Sequence, residues 1–75
     1  MKYLKHRNLQ VYLKVSNGKT LRVETGSEND IQLHNGTFYT ELFIRENFIK
    51  TTSLEFNVEY ETAKKEIEDF KLKTK

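Results

Sequence analysis

The sequence predicts an α+β domain in which a small antiparallel sheet of about five strands, flat or curled into a meander, carries one C-terminal helix. Three observations predict it. Apolar residues alternate with polar ones in short runs punctuated by Gly18, Gly26 and Gly36. After Glu59 the apolar spacing changes to three and four. A chain of 75 residues without cysteine can enclose only one thin core, with no disulfide or thiolate zinc site to hold it. The expected partition is a single domain over residues 1–75: a basic N-terminal segment at 1–8, antiparallel strands over 9–58 and a helix over 59–72.

LQVYLKV, residues 9–15, places Leu9, Val11, Leu13 and Val15 on one face and Gln10, Tyr12 and Lys14 on the other, the pattern of a half-buried strand. Asn17-Gly18 follows. A two-residue turn there would set Leu13 opposite Arg22 and Lys14 opposite Leu21, which mixes dry with wet on a sheet that buries one face. A three-residue loop of Ser16, Asn17 and Gly18, with Gly18 left-handed as a bulge, sets Leu13 opposite Leu21 and Val11 opposite Val23. That is the expected register.

After LRVET, residues 21–25, GSEND is polar turn material and IQL opens a third strand. With Asn35-Gly36 at the tip of a two-residue turn, Leu33 pairs with Phe38 and Ile31 with Thr40. Phe38, Leu42 and Ile44 then join the core face, while Tyr39 and Phe43 project from the face that carries Tyr12. The match of Asn35-Gly36-Thr37 to the glycosylation sequon is read as that same turn. IRENFI reverses the chain near Glu46-Asn47, and Leu54, Phe56, Val58 and Tyr60 alternate as a last extended segment. A helix over 38–49 would align Phe38, Leu42 and Ile49, but the aromatic and β-branched content favours strand.

From Glu59 onward, Tyr60, Ala63, Ile67 and Phe70 form a helical stripe. Glu61 with Lys65, Lys64 with Glu68, and Lys65 with Asp69 are i,i+4 pairs on its outer side, and Lys71 and Lys73 suit the negative end of the helix dipole. The helix is expected to cover one face of the sheet.

The net charge of +2 hides a segregation: residues 1–22 carry six cations and no acid, residues 24–69 carry all 11 acids against four cations, and three lysines follow. The start, MKYLKHRNLQ, is followed by alternating rather than continuous apolar residues. Neither a secretory segment nor a membrane span is therefore expected, and a cytoplasmic location is. The glycines sit at turns rather than in a phosphate loop, His6 and His34 are isolated, and no nucleophile elbow surrounds Ser16, Ser27 or Ser53. Glu66, Glu68 and Asp69 read as a solvated helix face. No enzyme activity, cofactor or metal is expected.

Recognition remains, in two forms. Lys2, Tyr3, Lys5, His6, Arg7, Tyr12 and Lys14 interleave cations with rings, and Lys5, Arg7, Tyr12 and Lys14 are the candidate contacts of a nucleic-acid binder. Here V-Y-L-K followed by N-G, with F-I-R-E-N-F-I at 43–49, resembles the two motifs of the Sm-like RNA-binding family, the second of which reads I-R-G-x-x-I. The resemblance covers residues 11–50 and implies an SH3-like curl of five strands with Arg45 as the nucleotide-contacting arginine. Two residues are inserted before Asn17-Gly18, Glu46 stands at the family's glycine, and Gly26 at its aspartate; these departures strike the RNA site itself.

The second form starts from the acids Glu41, Glu55, Glu59, Glu61, Glu66, Glu68 and Asp69, with Tyr39 and Phe43 as exposed anchors beside them. Tyr39, Glu41, Phe43, Arg45 and Glu55 are the candidate protein-binding residues. In size, lysine and glutamate richness and lack of cysteine the chain is similar to small bacteriophage early proteins that disable a host enzyme. The nearest type is the inhibitor of the bacterial DNA sliding clamp, and Gln10-Val11-Tyr12-Leu13-Lys14-Val15 loosely follows the Q-x-x-L-x-hydrophobic pattern of clamp-binding peptides. The resemblance implies a phage-encoded protein that blocks a host DNA-replication factor in the host cytoplasm. With the helix over the Leu13, Leu21 and Phe38 face, Tyr12, Tyr39 and Phe43 need a second cover, so a homodimer is expected.

Overall fold

The computed structural model describes residues 1–26 and 29–73; Ser27 and Glu28 of the expected GSEND turn lie outside the described residues, as does Lys75. The described residues form strands β1 (Lys2–His6), β2 (Val11–Ser16), β3 (Lys19–Glu24) and β4 (Asp30–Asn35), a short helix α1 (Glu41–Asn47), strand β5 (Phe48–Lys50) and a long helix α2 (Ser53–Lys73). All strands join one antiparallel sheet in the order β4-β3-β2-β1-β5. The architecture is the expected small α+β domain, a five-stranded antiparallel sheet with a C-terminal helix.

The β2–β3 register is the one the sequence argument rejected. Ser16 pairs with Lys19 around Asn17 and Gly18, whose φ values of 50° and 72° are those of a two-residue hairpin turn, so Leu13 faces Arg22 and Lys14 faces Leu21. The rejection assumed a sheet with one dry face. Here both faces are covered. Val11, Leu13 and Phe48 form a buried cluster on one face, with Leu4, Tyr39 and Ile44 packed around it. Val23, Phe56 and Ala63 form another beneath α2, with Tyr3, Tyr12, Leu21, Ile31 and Tyr60. Arg22 tolerates its place opposite Leu13 because its guanidinium is paired, bonding Glu24 at 2.8 Å and approaching Asp30 at 3.7 Å.

Further expectations are corrected. Leu9 lies before β2 and is exposed. The chain does not form a hairpin at Asn35-Gly36. Gly36, with φ of 83°, turns it under the sheet instead, and its carbonyl accepts a 2.6 Å bond from the buried Thr20 hydroxyl. Residues 41–47, expected in a strand, are helical, while β5 and β1 supply strands where a turn and a basic arm were expected. Residues 53–58 belong to α2, which starts six residues earlier than the period change at Glu59. Thr52 explains the early start: its hydroxyl accepts from the Glu55 amide at 3.1 Å, an N-cap in the sequence T-S-L-E. Phe56, Tyr60, Ala63 and Ile67 then turn inward at spacings of four, three and four, leaving Leu54 and Val58 exposed on the outer side.

Candidate functional site

The face opposite α2 is built from rings. Going across the sheet, His34 lies 4.5 Å from Phe38, Phe38 6.3 Å from Tyr39, Tyr39 5.6 Å from Phe48, and Phe48 5.1 Å from His6. Phe43 stacks on Tyr39 at 4.8 Å and lies 6.5 Å from Phe48. This continuous chain of rings roofs Val11 and Leu13. Pairs at these separations contribute beyond their buried area, about 0.5–1.5 kcal/mol each.

Local chemistry fixes the segment. Thr40 has extended backbone and its hydroxyl accepts from the Phe43 amide at 3.2 Å, capping α1, with Glu41 in the first turn where the dipole favours an acid. At the other end the Asn47 side-chain amide donates to the Phe43 carbonyl at 3.0 Å, and Phe48 closes the helix by donating its N–H to the Ile44 carbonyl. Phe48 is therefore at once the helix terminus, the first residue of β5 and the floor of the ring cluster. The Tyr39 hydroxyl accepts from Arg22 Nε at 3.2 Å. Burial works against the charge on Arg22, but its bonds to Tyr39 and Glu24 outweigh that effect and raise its pKa.

The five expected protein-binding residues divide. Tyr39, Glu41, Phe43 and Arg45 gather on α1 and the turn before it. Tyr39 is half-buried rather than an exposed anchor; Phe43 is 40% exposed, and Leu42, assigned by alternation to the core, is 59% exposed. No residue of this helix is buried. Leu42 thus stands in water among the exposed charges Glu41, Arg45 and Glu46, while Phe43, stacked on Tyr39, leaves only part of its ring exposed. Glu55 lies apart, in the first turn of α2 on the opposite face of the sheet.

The expected nucleic-acid residues are not assembled into an open platform. Lys5 Nζ donates to Glu55 at 3.0 Å, Tyr12 is half-buried in the cluster beneath α2, and Lys14 is half-buried beside Leu21. Arg7 stands exposed past the end of β1. Burial beneath α2, reinforced by Glu59 and Glu55, pushes the Tyr12 phenol up. Gln10 to Val15 is no free clamp peptide either, since β2 is paired on both sides and Val11 and Leu13 are buried. The expected homodimer argument also loses its premise: Tyr12 is covered by α2, while Tyr39 and Phe43 pack with Phe48 within one chain.

Lys5 and Glu55 give a pH prediction. Bonds from Thr51, then Lys5, hold the Glu55 carboxyl below its ordinary 4.5, and the bond to Glu55 lifts Lys5 above 10.5. A lowered carboxyl contributes stability above its unfolded value and loses it as pH falls through the folded one; a raised lysine contributes below its unfolded value and loses it as pH rises through the folded one. The pair therefore stabilises between the glutamate and lysine ranges. Both side chains are over a third exposed to water, so the effect is small. Thermal melts of Glu55→Gln should lie slightly below wild type at neutral pH and converge with it under acid.

Among the described residues no group of three or more His, Cys, Asp and Glu could hold a metal ion, and no helix is long and apolar enough to cross a membrane. No protein-family model, curated protein or solved structure matches this chain.

Proposed function

We propose that this chain is a non-enzymatic protein-binding domain that inhibits its target by covering it, in the manner of a small phage protein acting in the host cytoplasm on a DNA-replication factor such as the sliding clamp. One observation supports the binding surface above others: α1 leaves Leu42 and part of the Phe43 ring in water although the buried Phe48 ring lies behind Phe43. Apolar anchors held rigidly by a packed layer and ringed by charge are the usual centre of a protein interface, because little side-chain freedom is lost when they dock. Tyr39 serves as a positioning residue, fixed by Arg22 and stacked on Phe43. Glu41, Glu46 and Arg45 supply the polar rim and set orientation. Engagement of a clamp would run through α1, since the Gln10–Val15 strand is committed to the sheet.

The test is a titration of purified sliding clamp with this protein, alongside Phe43→Ala and a Leu42→Glu variant. Saturable binding is expected, with Phe43→Ala costing about 2 kcal/mol, roughly thirty-fold in Kd. No clamp binding removes the clamp from the proposal. Affinity-purified partners that bind wild type and the Leu42→Glu and Phe43→Ala variants equally well remove the α1 surface. Salt-dependent oligonucleotide binding lost on neutralising Arg7 and Lys14 would replace the proposal with the nucleic-acid reading.

A further inference from the structure

The two edges of the sheet are protected very differently. β5 is three residues long and carries Lys50, the ordinary defence of an edge against pairing with another chain. β4 is six residues long, DIQLHN, with no proline, lysine or bulge, and its pairing to β3 runs unbroken from Glu24 opposite Asp30 to Lys19 opposite Asn35. Leu33 on it is 66% exposed.

The direction of its free backbone groups follows from the ladder. Thr25 N donates to Gln10 O at 2.9 Å, so the odd residues of β3 bond toward β2 and the even ones toward β4. On β4 the even residues Asp30, Gln32 and His34 are therefore used up by β3. The N–H and C=O groups of Ile31 and Leu33 point away from the sheet.

We propose that β4 is the pairing edge for a second copy of this chain, antiparallel about a two-fold axis at Gln32. A two-fold axis normal to a sheet sets each residue opposite one on the same face. About Gln32 it sets Ile31 opposite Leu33 of the copy and Asp30 opposite His34 of the copy, with the two Gln32 amides facing each other. Apolar meets apolar, acid meets imidazole, and the outward backbone groups of Ile31 meet those of Leu33. Shifting the axis to Leu33 would set Leu33 opposite itself but Ile31 opposite Asn35 and Asp30 opposite Gly36, losing the acid–imidazole match and leaving Ile31 against a polar residue. The segment D-I-Q-L-H is thus complementary to itself when reversed.

The α2 side of the sheet agrees. Asn29 donates to Glu66, which places the helix over the start of β4, and the helix runs on to Lys73 with Phe70 68% exposed. At the opposite end of the same sheet face lies a hollow of about 320 Å³, lined by Met1, Leu21 and Leu33 together with Lys14, Lys19, Ser16 and Asn17. The two-fold axis brings the start of β4 in one chain beside the end of β4 in the other. The end of each helix, with Glu66, Asp69 and Phe70 beside Lys71 and Lys73, then approaches the hollow of its neighbour. This edge is distinct from α1, so dimerisation leaves the proposed target surface open.

Light scattering across micromolar concentrations tests the proposal, with circular dichroism to confirm folding of each variant. A reversible dimer is expected for wild type, and a folded monomer for Leu33→Lys. Since the chain has no cysteine, Gln32→Cys supplies a register probe: the residues at the axis are a close, non-hydrogen-bonded pair, and mild oxidation should link them, but not in a Gln32→Cys, Leu33→Lys double variant. A wild type that stays monomeric overturns the proposal and leaves the edge to an extended segment of a different protein. A dimer that survives Leu33→Lys, or one in which Gln32→Cys does not link, places the contact elsewhere and equally overturns it.

Discussion

Phe56→Ala is expected to remove a large share of the chain's folding stability. Phe56 is, among the described residues, the one large, fully buried side chain of α2, packed with Val23 and Ala63 and lying 5.5 Å from the Tyr3 ring and 6.4 Å from the Tyr60 ring. Removing such a ring from a core costs about 3–5 kcal/mol. A 75-residue domain has roughly 4–11 kcal/mol in total, so the loss takes from about a quarter of it to all of it. The next fully buried residue on the inward stripe is only Ala63, and helices in proteins draw most of their stability from packing rather than propensity, so α2 has little else to seat it. Urea denaturation followed by far-UV circular dichroism reads the effect directly. Phe56→Leu, which keeps most of the volume, should lose far less. A loss for Phe56→Ala below about 1 kcal/mol would show that the helix is not held by this contact.

The same residue shows where the sequence misleads. Leu54, Phe56, Val58 and Tyr60 alternate as a strand would, while Phe56, Tyr60, Ala63 and Ile67 recur as a helix would. Phe56 and Tyr60 belong to both patterns, so periodicity alone could not choose. The decisive signal was the cap, Thr52 to Glu55, read only once the helix start was seen. Alternation in β2 was read correctly, but its partner register was not. Pairing rules assume that one face of the sheet is wet, and the segment that dries the second face, residues 38–48, had itself been assigned to a strand and a chain reversal. One misassigned segment thus carried the error into a distant hairpin, even though Asn17-Gly18 is a strong two-residue turn signal.

At the candidate site, residue types were legible and roles were not. Tyr39, Glu41, Phe43 and Arg45 do come together, because four residues within seven positions of one segment share a neighbourhood in either a strand or a helix. Glu55 was separated from them by β5 and the start of α2, on the opposite side of the sheet, and finds Lys5 instead. The pairing of Arg22 with Tyr39 joins residues 17 positions apart and depends on the turn at Gly36, so no local pattern announces it. Leu42 became exposed through the change from strand to helix, which redirects every second side chain.

Phe48→Ala is the second large expected effect, and it separates the floor of the candidate surface from the surface itself. Phe48 is buried against Val11 and Leu13 and touches the rings of Tyr39, Phe43 and His6. Its truncation should cost about 3–5 kcal/mol, comparable to Phe56→Ala, and free the Tyr39–Phe43 stack to move. Phe43→Ala removes a ring that is already partly in water and should cost much less stability. The two variants therefore differ in kind: target binding and folding should fall together in Phe48→Ala, whereas binding should fall alone in Phe43→Ala. Phe48→Leu, which refills most of the floor, should recover stability ahead of affinity because the aromatic stacking geometry is still missing. Ring-proton NMR shifts of Tyr39 provide a readout free of any partner: stacking on Phe43 at 4.8 Å displaces them in wild type, and Phe48→Leu should shrink that displacement. Unchanged Tyr39 shifts in a folded Phe48→Leu protein would mean that α1 and its cap at Thr40 hold the rings without the floor, and the rigidity argued for the binding surface would then have to come from the helix alone.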